Sequence, residues 1–163
     1  MPMVYTSSVA TPADISCSAT PGTETRPFTI KTGANGRSLG LQAVYVIGKG
    51  AGLTAISGIV FRIARTTTAT ASTGGTATTP NPKDLGMQAA TGVAFTGTTS
   101  ADGAGRTNHV FFGCGAAGPG GWVAPNPDSM VMCIPNSTAP SVDLLAASGT
   151  ASLKYEFSAE HQE

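Results

Sequence analysis

The sequence has few charged residues. Lysine, arginine, aspartate and glutamate make up 11% of its 163 residues, whereas about 25% is usual in soluble domains. Nine basic and nine acidic side chains give a formal net charge of zero. Binding to nucleic acid or to an anionic membrane through a basic patch is therefore not expected. The polar surface must be built from backbone groups and hydroxyl side chains instead.

The spacings that bind metals are also missing. The three cysteines, Cys17, Cys114 and Cys133, contain no CxxC pair, and their odd number does not suit a disulfide framework. We expect them to be reduced, buried thiols, because a free cysteine is most often a small core residue. The sequence therefore predicts no metal site and no cofactor.

No catalytic arrangement is recognisable. His109 and Cys114 are the nearest base and thiol, but a strand over 108–114 would direct them to opposite faces. His161 lies in a polar stretch that we expect to fray. The nine acidic residues form no local pair of the kind that glycosidases use. The glycine-rich run 113–121 lacks the Lys-Ser/Thr of a phosphate-binding loop. We therefore predict that the protein is not an enzyme.

Long apolar runs are absent as well. The first residues, MPMVYTSSVATPADIS, contain no basic segment followed by an apolar core, and no window approaches 18 apolar residues. We therefore expect a protein that is made in the cytoplasm, is not exported by a signal peptide and does not span a membrane.

Short alternating segments between glycines and prolines make up most of the chain. They predict strands over 28–32, 41–48, 58–65, 108–114, 120–124, 128–134 and 150–158. Arg62 should point outward, and a helical turn is expected at 84–91 with Asp84 as its N-cap. Without long helices or βαβ spacing, the pattern predicts an all-β fold, an antiparallel β-sandwich or jelly roll. On the predicted strand 41–48, four residues should share one face: Leu41, Ala43, Tyr45 and Ile47.

Two segments have no clear strand pattern. Residues 1–27 contain four prolines and many serines and threonines, so we expect an extended N-terminal arm, followed by one β-sandwich domain over 28–163. The stretch 65–84 is nearly uncharged and joins two apolar segments, which predicts a long loop rich in threonine and glycine.

Several segments, taken in order, resemble small β-proteins of tailed-phage virions. The strand IVFRIAR (59–65) runs into threonines and is followed by a TPNPKDL turn (79–85). A Gly-Gly-Trp turn (120–122), an APNP turn (124–127) and the alternating SLKYEF (152–157) come later. The similarity covers residues 40–158. It implies a jelly-roll head decoration, or cement, protein that binds the major capsid protein on the capsid surface, as a homotrimer without catalytic residues.

Eight threonines are the candidate partner-binding residues of such a protein. Threonine has a high β propensity, so the loop can add a strand to the edge of a partner's sheet. Its lack of charge means that little desolvation opposes docking. These residues are Thr66, Thr67, Thr68, Thr70, Thr73, Thr76, Thr78 and Thr79.

A phage adhesin or carbohydrate-binding module on the head, tail or fibre is the alternative from a different class. Its recognition edge would consist of Trp122, the ninth candidate partner-binding residue, and the loops 96–107 and 113–121. A lone tryptophan beside glycines is more typical of a core or interface plug than of a sugar-stacking platform. Within the structural class, a tail or fibre-base component is a third hypothesis.

Overall fold

The computed structural model describes residues 3–15, 26–32, 37–48, 58–66, 76–98, 106–115, 118–134, 141–149 and 153–163. These residues form twelve strands and one short 3-10 helix, Pro127–Ser129. All strand pairs are antiparallel. The predicted all-β class with antiparallel sheets is therefore confirmed.

The strands belong to two six-stranded sheets. Sheet A contains β1 (Val4–Ile15), β3 (Leu39–Gly48), β6 (Asn81–Pro82), β9 (Pro119–Val123), β10 (Val131–Cys133) and β12 (Leu153–Gln162). Sheet B contains β2 (Arg26–Lys31), β4 (Gly58–Thr66), β5 (Thr76–Thr78), β7 (Val93–Thr98), β8 (Arg106–Gly115) and β11 (Ser141–Gly149). The order in sheet A is β10-β3-β12-β1-β6, with β9 also paired to β3, and the order in sheet B is β5-β7-β2-β11-β4-β8.

Early strands pair with late strands in reverse order. β1 pairs with β12, β2 with β11, β3 with β9 and β4 with β8. The first four strands also alternate between sheet A and sheet B. Segments that are far apart in the sequence therefore lie side by side, and the fold depends on long-range contacts.

The apolar core lies between the two sheets, and Phe61 of β4 is near its centre. The ring of Phe61 lies 5.6 Å from that of Phe112, 5.5 Å from that of Tyr155 and 5.8 Å from that of Phe157. Phe61 and Tyr155 are completely buried. The first two of these four rings come from sheet B and the last two from sheet A, so this cluster joins the sheets. The inward alternation predicted for β4 and for the described part of β12 is confirmed.

β3 does not turn the same face inward along its whole length. Its register with β12 shifts by one residue between Leu41 and Ala43, which is a β-bulge. Leu41 is buried before the shift, whereas after it Val44 and Val46 face the core. The extra residue reverses the alternation, and a periodic pattern does not reveal where that happens. This corrects the prediction of a single shared face formed by Leu41, Ala43, Tyr45 and Ile47.

The outer face of sheet B buries charged side chains. Arg62 points away from the core, as predicted, but is only 8% exposed. Asp143 of β11 lies on the same face and is completely buried. Its Oδ2 atom lies 3.2 Å from Nη1 of Arg26, and its Oδ1 atom accepts a hydrogen bond of 2.9 Å from the Ser141 hydroxyl. A buried ion pair is therefore part of this sheet.

Part of the predicted N-terminal arm is a strand of sheet A. β1 pairs with β12 from Val4 to Val9 and again from Ala13 to Ile15. Pro12 falls in the gap between these two stretches, so its missing N–H interrupts no ladder bond. Residues 1–2 and 16–25 of the predicted arm lie outside the described residues. Residues 26–27, the last two of the predicted arm, are the beginning of β2. The sequence did not indicate this strand because its partner residues lie 138 to 158 positions further along the chain.

A turn replaces the helical turn that was predicted at 84–91. The Met87 N–H donates a hydrogen bond of 3.4 Å to the Asp84 carbonyl, and Gly86 has a φ of +90°. Glycine adopts this left-handed conformation without steric cost. Leu85, at the tip of the turn, is fully exposed. Asp84 therefore begins a turn and caps no helix.

Candidate functional site

An exposed apolar surface lies on the outer face of sheet A. Tyr45, Ile47 and Val123 are 43%, 48% and 52% exposed. They lie on adjacent strands, where Tyr45 pairs with Gly121 and Ile47 with Pro119. We call these five residues the β3–β9 face. Large apolar side chains that are exposed together on paired strands are typical of a contact surface.

Glycine allows the two strands of this face to approach closely. A Cβ atom on Gly121 would lie 2.5 Å from the Val44 carbonyl oxygen, a distance too short for any other residue to keep this backbone unchanged. On the other side of β3, Glu156 of β12 is opposite Ile47, and Glu160 is opposite Ala43. The β3–β9 face is therefore apolar at its centre and has acidic residues along the β12 side.

Trp122 faces away from this surface. It alternates with the exposed Gly121 and Val123, is partly buried and packs against the core between the sheets. A ring in this position does not present an open platform for a sugar. Its contacts hold β9 in place, and β9 in turn carries three of the five residues of the β3–β9 face.

The eight candidate threonines occupy several environments. Thr66 is the last residue of β4, is 7% exposed and lies with its Oγ1 atom 2.8 Å from the Ser141 hydroxyl. Thr76 and Thr78 belong to β5, which pairs with β7 of the same chain, and Thr79 is exposed. Residues 65–66 and 76–78 of the predicted loop thus belong to strands of sheet B, and residues 81–82 belong to sheet A. The other four lie outside the described residues: Thr67, Thr68, Thr70 and Thr73.

The turn after β6 presents one apolar side chain on an anchored backbone. β6 pairs with β1, the Lys83 N–H donates a hydrogen bond of 3.0 Å to the Val4 carbonyl, and Lys83 Nζ lies 2.7 Å from Glu160 Oε1. Gly86 then closes the turn. Leu85 is held at the tip by these contacts while its side chain contacts only solvent. We call residues 79–87 the Leu85 turn.

His161 and Glu163 form a polar cluster that sequence reasoning missed. His161 is completely buried, and its ring is stacked on Tyr5 at 5.5 Å. The Glu163 carboxylate accepts hydrogen bonds of 2.8 Å from both the N–H and the hydroxyl of Thr91, and one of 2.9 Å from the Gly92 N–H. The prediction that His161 frays is therefore wrong, because β12 pairs with both β1 and β3 through Gln162.

Arg37 extends this cluster to Gln88, the residue that follows the Leu85 turn. Its guanidinium donates to the Tyr5 hydroxyl at 3.3 Å and to the side-chain oxygen of Gln88, and the Tyr5 hydroxyl donates 2.9 Å to the Gln88 carbonyl. Burial alone would raise the pKa of Glu163, but the hydrogen bonds from residues 91–92 and the neighbouring His161 lower it below 4.5. The carboxylate is therefore a charged hydrogen-bond acceptor that connects segments of the fold.

Acid should destabilise the protein through this cluster. Burial lowers the pKa of His161 from 6.5, against the opposing effect of Glu163. The unfolded chain then takes up a proton that the folded chain resists, so the free energy of unfolding falls as the pH drops below 6.5. The contribution of Glu163 is complete above 4.5 and is lost as the pH falls through its lowered pKa. Urea unfolding from about pH 8 to pH 4 measures the effect of His161, and extending the series to lower pH measures that of Glu163.

The variant His161→Phe, which keeps a ring beside Tyr5, should flatten the part of this profile just below pH 6.5. His109→Gln is the matched control, because His109 is exposed and should change the profile less. An unchanged profile in His161→Phe would contradict the assignment.

The two described cysteines are free and buried, in agreement with the prediction. Cys114 belongs to sheet B and Cys133 to sheet A, and Cys17 lies outside the described residues. Burial raises the pKa of Cys133 to about 12 and also raises that of Cys114. His109 is exposed on the opposite face of β8 from Cys114. These thiols are protonated at neutral pH and are poor nucleophiles.

The described residues contain no group of three or more histidine, cysteine or acidic side chains that could hold a metal ion. A pocket of ≈ 190 Å³ lies against the 3-10 helix, lined by residues that include Gln42, Met130 and Gln162. Small-molecule sites usually have roughly 300–1,000 Å³. The exposed surfaces are therefore better candidates for function than this pocket.

Among the helices of the described segments, none is long and apolar enough to cross a membrane. A scan against protein-family models found no match for the chain, and searches of curated proteins and of solved structures found none either.

Proposed function

We propose that the chain is a structural, non-enzymatic virion protein of a tailed bacteriophage. It decorates the capsid surface, stabilises the head by binding major capsid protein subunits, and assembles as a homotrimer with a jelly-roll fold. The observation that carries the proposal is the reverse-order pairing of early and late strands. Double-sheet jelly rolls of eight strands occur in viral capsid and lectin domains.

The strand order supports the jelly-roll part of the proposal. Four strands of sheet A follow the order β1-β12-β3-β9, and four strands of sheet B follow the order β2-β11-β4-β8. Each early strand has its late partner beside it in the same sheet. An antiparallel ribbon that folds over on itself produces this arrangement, with β6 and the remaining short strands at the margins.

The Leu85 turn supports the capsid-binding part. A fully exposed leucine on an anchored turn can enter an apolar pocket of a capsid subunit without a loss of backbone entropy. The adjoining threonine loop adds contact area with few charges to desolvate. Many copies bind one symmetric shell, so each contact needs to be only moderately strong.

Purified protein should sediment with capsid shells that were assembled without it, and should saturate them at a copy number that matches the shell symmetry. Binding at this ratio is the expected result, because a decoration protein occupies equivalent positions. Light scattering of the same preparation gives the mass before binding. A monomer that stays in the supernatant at every concentration would refute the proposal.

Two variants locate the contact. Leu85→Ser should weaken co-sedimentation at least tenfold, since truncation of an anchor residue commonly costs this much. Replacing residues 67–75 with a flexible linker should have a similar effect, and it spares Thr66 and β5, which belong to sheet B. Ile134→Ser is the control, because Ile134 is 70% exposed and lies elsewhere. Equal binding by all three variants would exclude the Leu85 turn and the loop as contacts.

A further inference from the structure

Glu163 fastens residues 88–92 to the end of sheet A. Its carboxylate accepts hydrogen bonds from the N–H and the hydroxyl of Thr91 and from the N–H of Gly92. Its backbone is paired with that of Met3 in both directions, at 3.0 and 3.2 Å. Thr91 and Gly92 directly precede β7 of sheet B. The contact therefore joins the two sheets at one end of the sandwich.

Residues 88–92 are held mainly by polar contacts. The Tyr5 hydroxyl donates a hydrogen bond of 2.9 Å to the Gln88 carbonyl, and the Arg37 guanidinium donates to the Gln88 side chain. The Arg37 N–H donates 3.1 Å to the Thr91 hydroxyl. Four of these five residues are exposed or partly exposed. Segments that bury little apolar surface open at a lower free energy than the core, so residues 88–92 can detach while the sheets stay folded.

His161 is the group beside this contact that titrates nearest to neutral pH. Its ring is completely buried, and its Nε2 atom lies 3.4 Å from Glu163 Oε1. We assign the proton of the neutral ring to Nε2, which faces the carboxylate. Nδ1 is then bare, and it is buried without a hydrogen-bond partner among the described residues. A second proton on the ring therefore creates a buried donor that has no acceptor.

The charged groups on the elements around His161 have opposing effects. Glu163 favours the imidazolium, but burial has the larger effect and lowers the pKa of His161 below 6.5. Arg37 donates 3.3 Å to the Tyr5 hydroxyl and so holds a cation at the ring that stacks on His161. β3, β7 and residues 88–92 contain no charged residue. The neighbouring strands also carry Lys31, with its ammonium 4.9 Å from the centre of the Phe95 ring, and Glu160, which pairs with Lys83.

We propose that these residues form an acid-sensitive clasp, in which protonation of His161 releases residues 88–92 from Glu163 and opens one end of the sandwich while both sheets stay folded. Residues 88–92 are the part that moves, because β12 and the backbone of Glu163 remain paired with β1 and Met3. Opening exposes the imidazolium to water, which accepts from its Nδ1–H. The open form binds this proton more readily, so the equilibrium constant for opening rises by up to about tenfold for each pH unit below about 6.5.

Opening also removes an anchor of the Leu85 turn. The turn is held on one side by β6 and Lys83, and it continues on the other side directly into residues 88–92. When the clasp opens, only the contacts of β6 and Lys83 remain. Binding through Leu85 must then order a looser segment, which lowers affinity. This consequence for capsid binding rests on the proposed function, whereas the opening itself does not.

Amide hydrogen exchange of the full chain, measured by NMR at about pH 7.5 and about pH 5, tests the clasp. After correction for the intrinsic exchange rates, the N–H groups of Thr91 and Gly92 should exchange about tenfold faster at the lower pH. At both pH values they should exchange faster than the core amides of β4 and β11. Urea below the unfolding transition should accelerate only the core amides, because local opening exposes little surface.

Two histidine variants show which side chain is responsible. His161→Phe keeps a ring beside Tyr5 but cannot take up a proton, so it should abolish the tenfold change at Thr91 and Gly92. His161→Leu repeats the test if the phenylalanine variant does not fold. His109→Gln is the matched control, because His109 is the other histidine of the chain and is exposed, and it should keep the tenfold change.

Three results would overturn the inference: exchange at Thr91 and Gly92 that does not accelerate in acid, the same acceleration in a His161 variant that folds, or exchange of these two amides only together with the core amides. The measurement contains no capsid. If the clasp opens in acid but the protein binds capsid shells at neither pH, the proposed function is refuted and the clasp stands.

Discussion

Asp143→Leu should lower the free energy of unfolding by about 3–5 kcal/mol, the usual cost of removing one partner of a buried ion pair. Asp143 and Arg26 are 0% and 1% exposed. The substitution leaves the Arg26 guanidinium buried without this carboxylate, and it also removes the acceptor of the Ser141 hydroxyl. Urea unfolding followed by circular dichroism measures the change.

The double variant Arg26→Met/Asp143→Leu separates the charge effect from a packing effect. Replacing both members of a buried ion pair with apolar residues is often neutral or stabilising, so the double variant should be more stable than Asp143→Leu alone. If Asp143→Leu instead lowers the free energy of unfolding by less than about 1 kcal/mol, the value typical of exposed pairs, the ion pair is not buried.

Phe61→Ala should destabilise the protein by about 3–5 kcal/mol, the range for removal of a buried phenylalanine ring. Phe61 is completely buried and contacts Phe112 of its own sheet and Tyr155 and Phe157 of the other sheet. Its loss leaves a cavity at the junction of the two sheets. Both the midpoint and the slope of the urea transition should be recorded, because a changed slope would indicate an altered unfolded or native state.

Two controls accompany Phe61→Ala. Phe61→Leu keeps much of the side-chain volume and should cost less than the alanine substitution. Leu85→Ala changes a fully exposed residue and should stay within about 0.5 kcal/mol of the original protein. A small effect of Phe61→Ala would mean that the sheets do not meet at this ring.

Some strands could not be predicted because both of their faces are buried. In β11, Val142 and Leu144 point to the core, while Asp143 and Leu145 on the opposite face are also completely buried. The run therefore shows no alternation, and a charged residue in its middle favours a loop. β12 could be predicted because its buried Tyr155 and Phe157 alternate with Glu156 and Ser158, which stay partly exposed.

The candidate surfaces were harder to predict from the sequence than the strands. Tyr45 and Ile47 were expected to share one face with Leu41, but a bulge in β3 turns them outward while Leu41 is buried. The alternation of β12 continues past Ala159 to His161, which was the one signal that His161 is buried. The partners of His161, Tyr5 and Glu163, gave no local pattern that connects them.

The sequence by itself determined the all-β class, the inward faces of β4 and β12, and the buried state of the described cysteines. These properties follow from the types of residues and from their local alternation. Only the tertiary structure decided the pairing of β1 with β12, the bulge in β3, and the ion pair of Arg26 with Asp143. The physical reason is that each of these features depends on which distant strands pair and in which register. Pairing and register are set by the packing of the whole chain, and local periodicity does not encode them.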